Sequence, residues 1–272
     1  MRPGRQRSLA ADNEQETRTV RVSLRNSNQD HSTMNSDKAV QDVIPQEERL
    51  ELDASTDLTE RTEAQMPVCF VVDVSGSIAP YVADLNASIS AFCLALGSNH
   101  RAKEVAEIAI VTFGDGASVF SPFRSVKELL ELDERGQIVG TKLPAFDAVG
   151  RRTAMGQGLR VTLDLVDRRR KEYDDAGVQK LTAFVVVFTD GGATDETAAV
   201  VKEMSKRVLA GHLHVFPIAV GGQVDMAVLK AMSPQQEPTR VVSGTEIVEL
   251  LDRLSAKVIK LSAKAVTTNQ AS

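Results

Sequence analysis

An apolar run that ends in a carboxylate and a hydroxyl-rich turn constrains the fold of this chain more than any other feature. The run PVCFVV at 67–72 is followed directly by DVSGS at 73–77. Short runs rich in β-branched and aromatic residues are typical of buried strands. In open α/β sheets, ligands bind at the carboxyl ends of such strands. The sequence therefore predicts that the 73–77 turn lies at the functional edge of a sheet.

Three oxygen-bearing side chains alternate along this turn: Asp73, Ser75 and Ser77. Alternate residues can direct their oxygens toward one point, as a hard cation such as Mg²⁺ requires. The same residue types are common in ordinary strand-to-helix turns and at helix N-caps. On these five residues alone, cation binding and plain turn formation both remain open.

Composition and charge narrow the class of protein. The chain has 272 residues and a formal net charge of −5, which argues against general nucleic-acid binding and against attachment to anionic membranes. No apolar run reaches the ~18 residues of a membrane span, and the N-terminus lacks the apolar segment of a signal peptide, so we expect a cytoplasmic protein. Cys69 and Cys93 are expected to be buried free thiols rather than a disulfide.

Residues 1–65 differ from the rest of the chain. They contain no aromatic residue, and they are basic at first and acidic over 42–63. Low hydrophobicity with segregated charge is typical of disorder, and a solvated tail is favoured over a basic binding arm. We expect a disordered extension over 1–65, a folded domain over 66–264 and a flexible tail over 265–272. An internal translation start at Met66 is an open alternative.

Strand-like and helix-like patterns alternate from residue 66 onward. Asp-Gly at 115–116 predicts a hairpin, so that the strand over 119–123 returns antiparallel at an edge. The almost entirely apolar segment 181–189 predicts a central strand. The alternation indicates an α/β fold, a mainly parallel sheet with helices on both faces. Further strands are expected at 66–72, 108–113, 212–220 and 241–242, and helices at 78–96, 155–173, 195–209 and 243–264.

Two further segments bring oxygen ligands to the edge where 73–77 is expected. The central strand ends in FTDGG, which contains Asp190, and Thr153 stands immediately before a helix. Neutral hydroxyls bind a divalent ion without cancelling its charge, so the ion stays electrophilic toward an incoming carboxylate. In the alternative, Thr153 and Asp190 only cap helices. The predicted metal ligands are Asp73, Ser75, Ser77, Thr153 and Asp190.

These motifs resemble the von Willebrand factor type A (VWA) family. DVSGS, Thr153 within TAMG, and FTDG match the three parts of that family's metal-ion-dependent adhesion site (MIDAS), and the resemblance covers about residues 66–264. The MPV-strand-DxSGS opening and the TDGGATD segment at 189–195 are most similar to single-domain bacterial members associated with tellurium resistance. The resemblance implies a Rossmann-like, doubly wound sheet of six strands with one antiparallel edge strand.

The resemblance also implies roles for these residues. Ser75, Ser77 and Thr153 would bind Mg²⁺ or Mn²⁺ directly or nearly so, and Asp73 and Asp190 would act partly through water. A Glu or Asp of a protein partner would fill the last position. The implied function is a docking or scaffold module in a bacterial stress- or tellurium-resistance-type assembly. The sequence leaves the oligomeric state open.

One departure from the family pattern concerns the residues before Thr153. They are commonly small, whereas this chain has Arg151 and Arg152. Side chains directed inward would raise the electrostatic cost of metal binding, and side chains directed outward would enlarge a basic rim for an acidic partner. We expect the outward arrangement, because arginine side chains reach solvent.

A catalytic role is the principal alternative. A Lewis-acidic ion with an open position could support hydrolysis, as in a metal-dependent phosphohydrolase. A regulatory subunit of an ATPase- or chelatase-type complex is a further alternative. No His, Cys or Lys stands beside the motifs as a base or nucleophile. We therefore predict no catalytic residue and no enzyme activity.

Four other features are expected to be structural. His212 and His214 suggest a metal pair, but they begin their strand at the opposite end from the predicted site. The basic run 168–171 is expected to face solvent near a helix end. Asp195 predicts the N-cap of the 195–209 helix, and turn chemistry accounts for Asp115, although it could lie beside the metal.

Overall fold

A six-stranded sheet organises the part of the chain that the structure describes, residues 63–222 and 224–264 of a computed structural model. The strands are β1 (Met66–Asp73), β2 (Ala106–Phe113), β3 (Ala117–Ser125), β4 (Leu130–Leu132), β5 (Ile138–Thr141), β6 (Ala183–Thr189), β7 (Leu213–Val220) and β8 (Thr239–Val241). The order in the large sheet is β3-β2-β1-β6-β7-β8, and β4 and β5 form a separate ribbon. The β2–β3 pair is antiparallel and every other pair in the large sheet is parallel.

Helices cover both faces of this sheet. The helices are α1 (Val82–Gly97), α2 (His100–Val105), α3 (Val126–Leu129), α4 (Met155–Asp175), α5 (Ala198–Leu209), α6 (Met226–Met232) and α7 (Gly244–Lys264), with a 3₁₀ helix over Gly76–Tyr81. One apolar core lies between the sheet and α1 and α7, and the other lies between the sheet and α4, α5 and α6. The predicted doubly wound α/β fold with one antiparallel edge strand is confirmed.

Strand β1 is buried along its whole length because its two sides face different cores. The Phe70 ring packs edge-on against Phe92, with 5.2 Å between ring centroids, and Val71 joins the opposite core. Each such side chain contributes roughly 1.5–3 kcal/mol on burial. Strands β2 and β6 pair with β1 on either side. The carboxyl end of β1 therefore lies centrally along the edge of the sheet that the carboxyl ends of the parallel strands form.

Several boundaries differ from the expectations. The sequence patterns did not predict α2, α3, α6 or the β4–β5 ribbon, which are all short elements. One of the two hydrogen bonds of the predicted capping box of α7 is present, since Glu246 N–H donates to Ser243 Oγ at 3.3 Å. The Glu246 carboxylate accepts from Val242 N–H, one residue earlier than in the usual pattern.

Both cysteines are free and buried, and burial raises the pKa of each thiol to about 12.

Residues 76–97 pass the length and composition test for a membrane-spanning helix, contrary to the expectation that no stretch would. The large apolar side chains of this stretch, including Leu85, Ile89 and Phe92, are buried in the core that α7 completes. A helix whose apolar side is already covered by the protein passes the same test. We therefore interpret 76–97 as a core helix of the fold.

The expectation that the basic run faces solvent is wrong for Arg169, which is 2% exposed. Its Nε and Nη2 donate to the buried Glu107 carboxylate at 2.7 and 2.6 Å, and the Tyr173 hydroxyl donates to the same carboxylate. Burial alone would lower the pKa of Arg169, but the hydrogen bond to Glu107 and the charge of Glu107 outweigh it and raise the pKa. This buried ion pair lies at the amino end of β2.

Replacing Arg169 tests this pair. Arg169→Met should lower the free energy of unfolding by about 3–5 kcal/mol, because it leaves the Glu107 carboxylate buried without its cation. The matched control, Arg168→Met, removes the neighbouring exposed arginine and should change stability by less than about 0.5 kcal/mol. Urea denaturation followed by circular dichroism measures both. Equal, small effects would contradict the assignment of a buried ion pair.

The described structure begins at Glu63, three residues before the expected domain boundary. Gln65 is fully buried, its backbone N–H donates to Gln179 O at 2.7 Å, and its carbonyl accepts from Leu181 N–H at 2.8 Å. Residues 64 and 65 thus belong to the packed domain. The rest of the expected extension and the expected tail lie outside the described residues.

Two shortened chains test where the folded domain begins. A chain that starts at Glu63 should melt at the temperature of the full chain, because the missing residues lack the apolar content to offset ordering. A chain that starts at Met66 loses the Gln65 hydrogen bonds and should be about 1–3 kcal/mol less stable. Calorimetry of the three chains measures this. A marked loss of stability already at Glu63 would mean that the preceding segment packs on the domain.

Candidate metal site

The Asp73 carboxylate is the deepest part of the predicted site and is fully buried. It ends β1, and its two oxygens accept different hydrogen bonds. Oδ1 accepts from Ser75 N–H at 2.9 Å, and Oδ2 accepts from Thr189 Oγ1 at 2.7 Å. Thr189 is not among the predicted ligands, although it stands beside Asp190 at the end of the neighbouring strand. These two contacts fix the orientation of the carboxylate.

A chain of hydroxyls connects this buried end to the surface. Ser75 Oγ and Ser77 Oγ are 3.2 Å apart, and Ser77 Oγ donates to Asp190 Oδ1 at 3.0 Å. Ser75 is buried, Asp190 is half-buried and Ser77 is exposed. The structure therefore brings Asp73, Ser75, Ser77 and Asp190 into one cluster, which reaches solvent at Ser77 and Asp190.

Thr153, the fifth predicted ligand, lies beside this cluster rather than within its hydrogen-bond network. A Cβ placed on Gly191 would be 3.7 Å from Thr153 Oγ1, so the hydroxyl adjoins the turn that follows Asp190. Thr153 N–H donates to Thr194 Oγ1 at 3.1 Å, and Thr153 O accepts from Thr194 N–H at 2.9 Å. This reciprocal pair holds the loop of Thr153 against the 190–194 turn.

The loop before Thr153 is held to the DVSGS turn by main-chain hydrogen bonds. Val74 O accepts from Val149 N–H and Gly150 N–H at 2.9 and 3.0 Å, and Gly76 N–H donates to Gly150 O at 2.7 Å. A Cβ on Gly150 would be 3.0 Å from Gly114 Cα, so a larger residue would fit only if the β2–β3 turn moved by a few tenths of an ångström. The absence of a side chain at 150 thus favours this close approach.

Asp115 positions the same loop, and Asp195 positions the first turn of the helix that follows it. Asp115 Oδ1 accepts from Arg151 N–H and Arg152 N–H at 2.8 and 3.0 Å, so its role is to hold the loop. The Asp195 carboxylate accepts from the N–H groups of residues 156 and 157, both at 2.9 Å. The prediction that Asp195 caps the following helix is wrong, because α5 begins at Ala198 and Asp195 caps α4 instead.

Arg151 and Arg152 are both exposed, in the outward arrangement expected from the sequence. Neither forms an ion pair with any other residue in the described ranges. Val149, in the same loop, is 78% exposed. The rim beside the oxygen cluster thus presents two positive side chains and one apolar side chain.

The electrostatics of the cluster favour a cation. Burial raises the pKa of Asp73, and burial followed by the charge of Asp73 raises the pKa of Asp190. Among the described residues, no Lys, Arg or His forms an ion pair with either carboxylate. A divalent cation would supply the missing positive charge, and the all-oxygen donor set suits a hard ion. The residues therefore fit such an ion.

No group of three or more His, Cys, Asp and Glu suited to a metal occurs in the described residues, so this fit depends on the hydroxyls. His212 is exposed, and the His214 ring lies 5.0 Å from the ring of Phe184 at the amino end of β7. Burial and then the charge of Lys257 lower the pKa of His214. The histidines do not contribute to the cluster at the opposite edge of the sheet.

Comparison with protein families identifies the class to which this fold and cluster belong. The von Willebrand factor type A domain model matches residues 68–253, more than half of the chain. The chain belongs to the VWA domain family. A search of curated proteins finds no match.

Two solved structures show similarity of fold, and a third matches with a lower TM-score. Proximal thread matrix protein 1 from the mussel byssus matches with a TM-score of 0.51 and 19% identity over 74% of this chain and 48% of its own. The pilus adhesin SpaC from Lactobacillus rhamnosus GG matches with a TM-score of 0.54 and 12% identity over 74% of this chain and 30% of its own. The mussel protein with a zinc-occupied MIDAS motif matches with a TM-score of 0.49 and 15% identity over 72% of this chain and 46% of its own. The chain spans less than half the length of these proteins.

Removing the charge of Asp190 tests the site as a cation site. Asp190→Asn should raise the melting temperature in EDTA, because it removes one of two neighbouring carboxylates whose charged forms are disfavoured. Mg²⁺ at ~100 times its dissociation constant should stabilise the unsubstituted chain by ~2.7 kcal/mol and the variant much less. Thermal melts in Mg²⁺ and in EDTA measure both effects. Asp252→Asn, in the exposed face of α7, is the control and should change neither.

Proposed function

We propose that this chain is a docking module that recruits a protein partner through a divalent cation, Mg²⁺ or Mn²⁺. Asp73, Ser75, Ser77, Thr153 and Asp190 would hold the cation. The observation that carries the proposal is the graded burial of the cluster, from a fully buried Asp73 to an exposed Ser77. A cation held in this way would have the buried Asp73 on its inner side and would be accessible to a ligand on the side of Ser77.

The chemistry of the donor set favours a carboxylate as the incoming group. Three of the five proposed donors are neutral hydroxyls, so they cancel less of the charge of the cation than a cage of carboxylates would. When bound, the cation would supply positive charge and a coordination position that an incoming group can reach. The exposed Arg151 and Arg152 add positive charge at the same rim. We propose that the partner offers a Glu or an Asp.

We propose binding rather than catalysis. Among the described residues, the hydrogen bonds of the cluster involve only hydroxyls, carboxylates and main-chain groups. Hydrolysis would need a base or a nucleophile positioned beside the cation. The proposed setting is a cytoplasmic bacterial assembly of the stress-response or tellurium-resistance type, supported by the resemblance of the DVSGS and TDGGATD segments.

Co-purification from native lysate tests the docking proposal. Partners should be retained in Mg²⁺, released in EDTA and lost with Ser77→Ala and Asp190→Ala, because both side chains lie at the accessible side of the cluster. Asp252→Ala is the control, and circular dichroism verifies folding. If the folded Ser77 and Asp190 variants retain every partner at the level of the unsubstituted chain, the metal-docking proposal is wrong.

Turnover distinguishes docking from the catalytic alternative. We expect no hydrolysis of p-nitrophenyl phosphate or ATP in Mg²⁺ or Mn²⁺ above that of the Asp190→Ala variant. Metal-dependent turnover that disappears with this substitution would instead support the phosphohydrolase alternative.

A further inference from the structure

Two consecutive arginines beside the cluster have fixed backbones and exposed side chains. Arg151 N–H and Arg152 N–H donate to one oxygen, Asp115 Oδ1, at 2.8 and 3.0 Å. Their side chains form no ion pair and no hydrogen bond with the described residues, whereas half of the other arginines there do. The main chain is therefore positioned, and the guanidinium groups remain available to a ligand.

The position of this pair relative to the DVSGS turn is fixed by the fold. Val74 O accepts two hydrogen bonds from the loop that carries the arginines, and Gly150 packs closely on the β2–β3 turn, where a Cβ would be 3.0 Å from Gly114 Cα. The backbone that carries the pair therefore loses little conformational freedom when a ligand binds, and only the two side chains have to be ordered. The backbone of the pair and the DVSGS turn thus keep a fixed relative position.

Positive charge at this place opposes the binding of a cation unless an anion joins it. Arg151 and Arg152 immediately precede the proposed ligand Thr153, and no described acidic side chain neutralises them by an ion pair. A ligand with a second negative group would remove this repulsion and gain charge-assisted hydrogen bonds to the planar guanidinium forks. A ligand with a single carboxylate would gain neither.

We infer that Arg151 and Arg152 form a second recognition point for an acidic protein segment that carries at least two carboxylates. One carboxylate goes to the cation and the other to the arginine pair. Asp115 is a positioning residue that holds the pair through its backbone. This inference rests on the proposed function and adds to it a requirement that the partner be acidic at two places.

Binding of blocked peptides to the full chain tests the inference. Fluorescently labelled hexaglutamate should bind in Mg²⁺, and the double variant Arg151→Gln/Arg152→Gln should bind it roughly tenfold more weakly, since hydrogen bonds to charged groups are lost. Acetylglutamate amide, with one carboxylate, serves as a competitor, and its dissociation constant should be the same for the double variant and the unsubstituted chain. Mg²⁺ affinity without peptide, from thermal melts, should be equal or higher.

A matched control separates local recognition from net charge. Arg168→Gln/Lys206→Gln removes the same charge from exposed positions on α4 and α5 and should leave hexaglutamate binding unchanged. Asp115→Ala should weaken hexaglutamate binding, whereas Asp115→Asn should retain it, because an amide oxygen still accepts both N–H groups. Equal loss with the control pair, or equal loss with Asp115→Asn, would overturn the assignment.

The outcomes also distinguish this inference from the proposed function. Hexaglutamate binding that depends on Mg²⁺ but not on the arginines overturns the second recognition point and leaves the docking proposal intact. Binding that depends on the arginines but survives EDTA and Asp190→Asn contradicts the docking proposal. A blocked phosphoserine that competes far more strongly than hexaglutamate, in an arginine-dependent manner, would assign the pair to phosphate and overturn the acidic-segment assignment.

Discussion

A carboxylate buried at the end of a strand is the constraint on which the rest of this site depends. Asp73 lies beneath the surface with its oxygens held by Ser75 N–H and Thr189 Oγ1. A buried charge without a cation is costly, and the raised pKa of Asp73 is the expression of that cost. Because β1 is packed on both faces, the carboxylate at its end cannot move to the surface to avoid this cost.

Four segments around this carboxylate are held together by hydrogen bonds to main-chain groups. The DVSGS turn binds the 149–154 loop through Val74 and Gly150, and that loop binds the β2–β3 turn through Asp115. Thr194, in the 190–194 turn, also binds the 149–154 loop. Each contact gives a hydrogen-bond partner to backbone groups that would otherwise have none in this closely packed region. The same hydrogen bonds thus stabilise the loops and position the oxygen ligands.

Much of this arrangement could be predicted from the sequence, because it depends on local patterns. Short apolar segments that alternate with helix-like segments predicted the six strands. DVSGS, Thr153 and Asp190 follow or adjoin such strands, and they predicted a cluster at one edge of the sheet. The contacts it did not predict join residues far apart in the chain. Asp195 looks like a cap for its own helix and caps α4, while Arg169 looks like a surface residue and pairs with Glu107 across the domain. Local spacing contains no information on such tertiary partners.

The burial of β1 on both faces has a consequence for the geometry of the site. Side chains on alternate sides of the strand fill two separate cores, so the base of the site cannot shift without disturbing both of them. The sheet therefore provides a rigid base for the site, and any movement on binding falls to the loops and helices around it. The relative positions of the oxygens at this base are then set by the packing of the two cores and not by what binds above them.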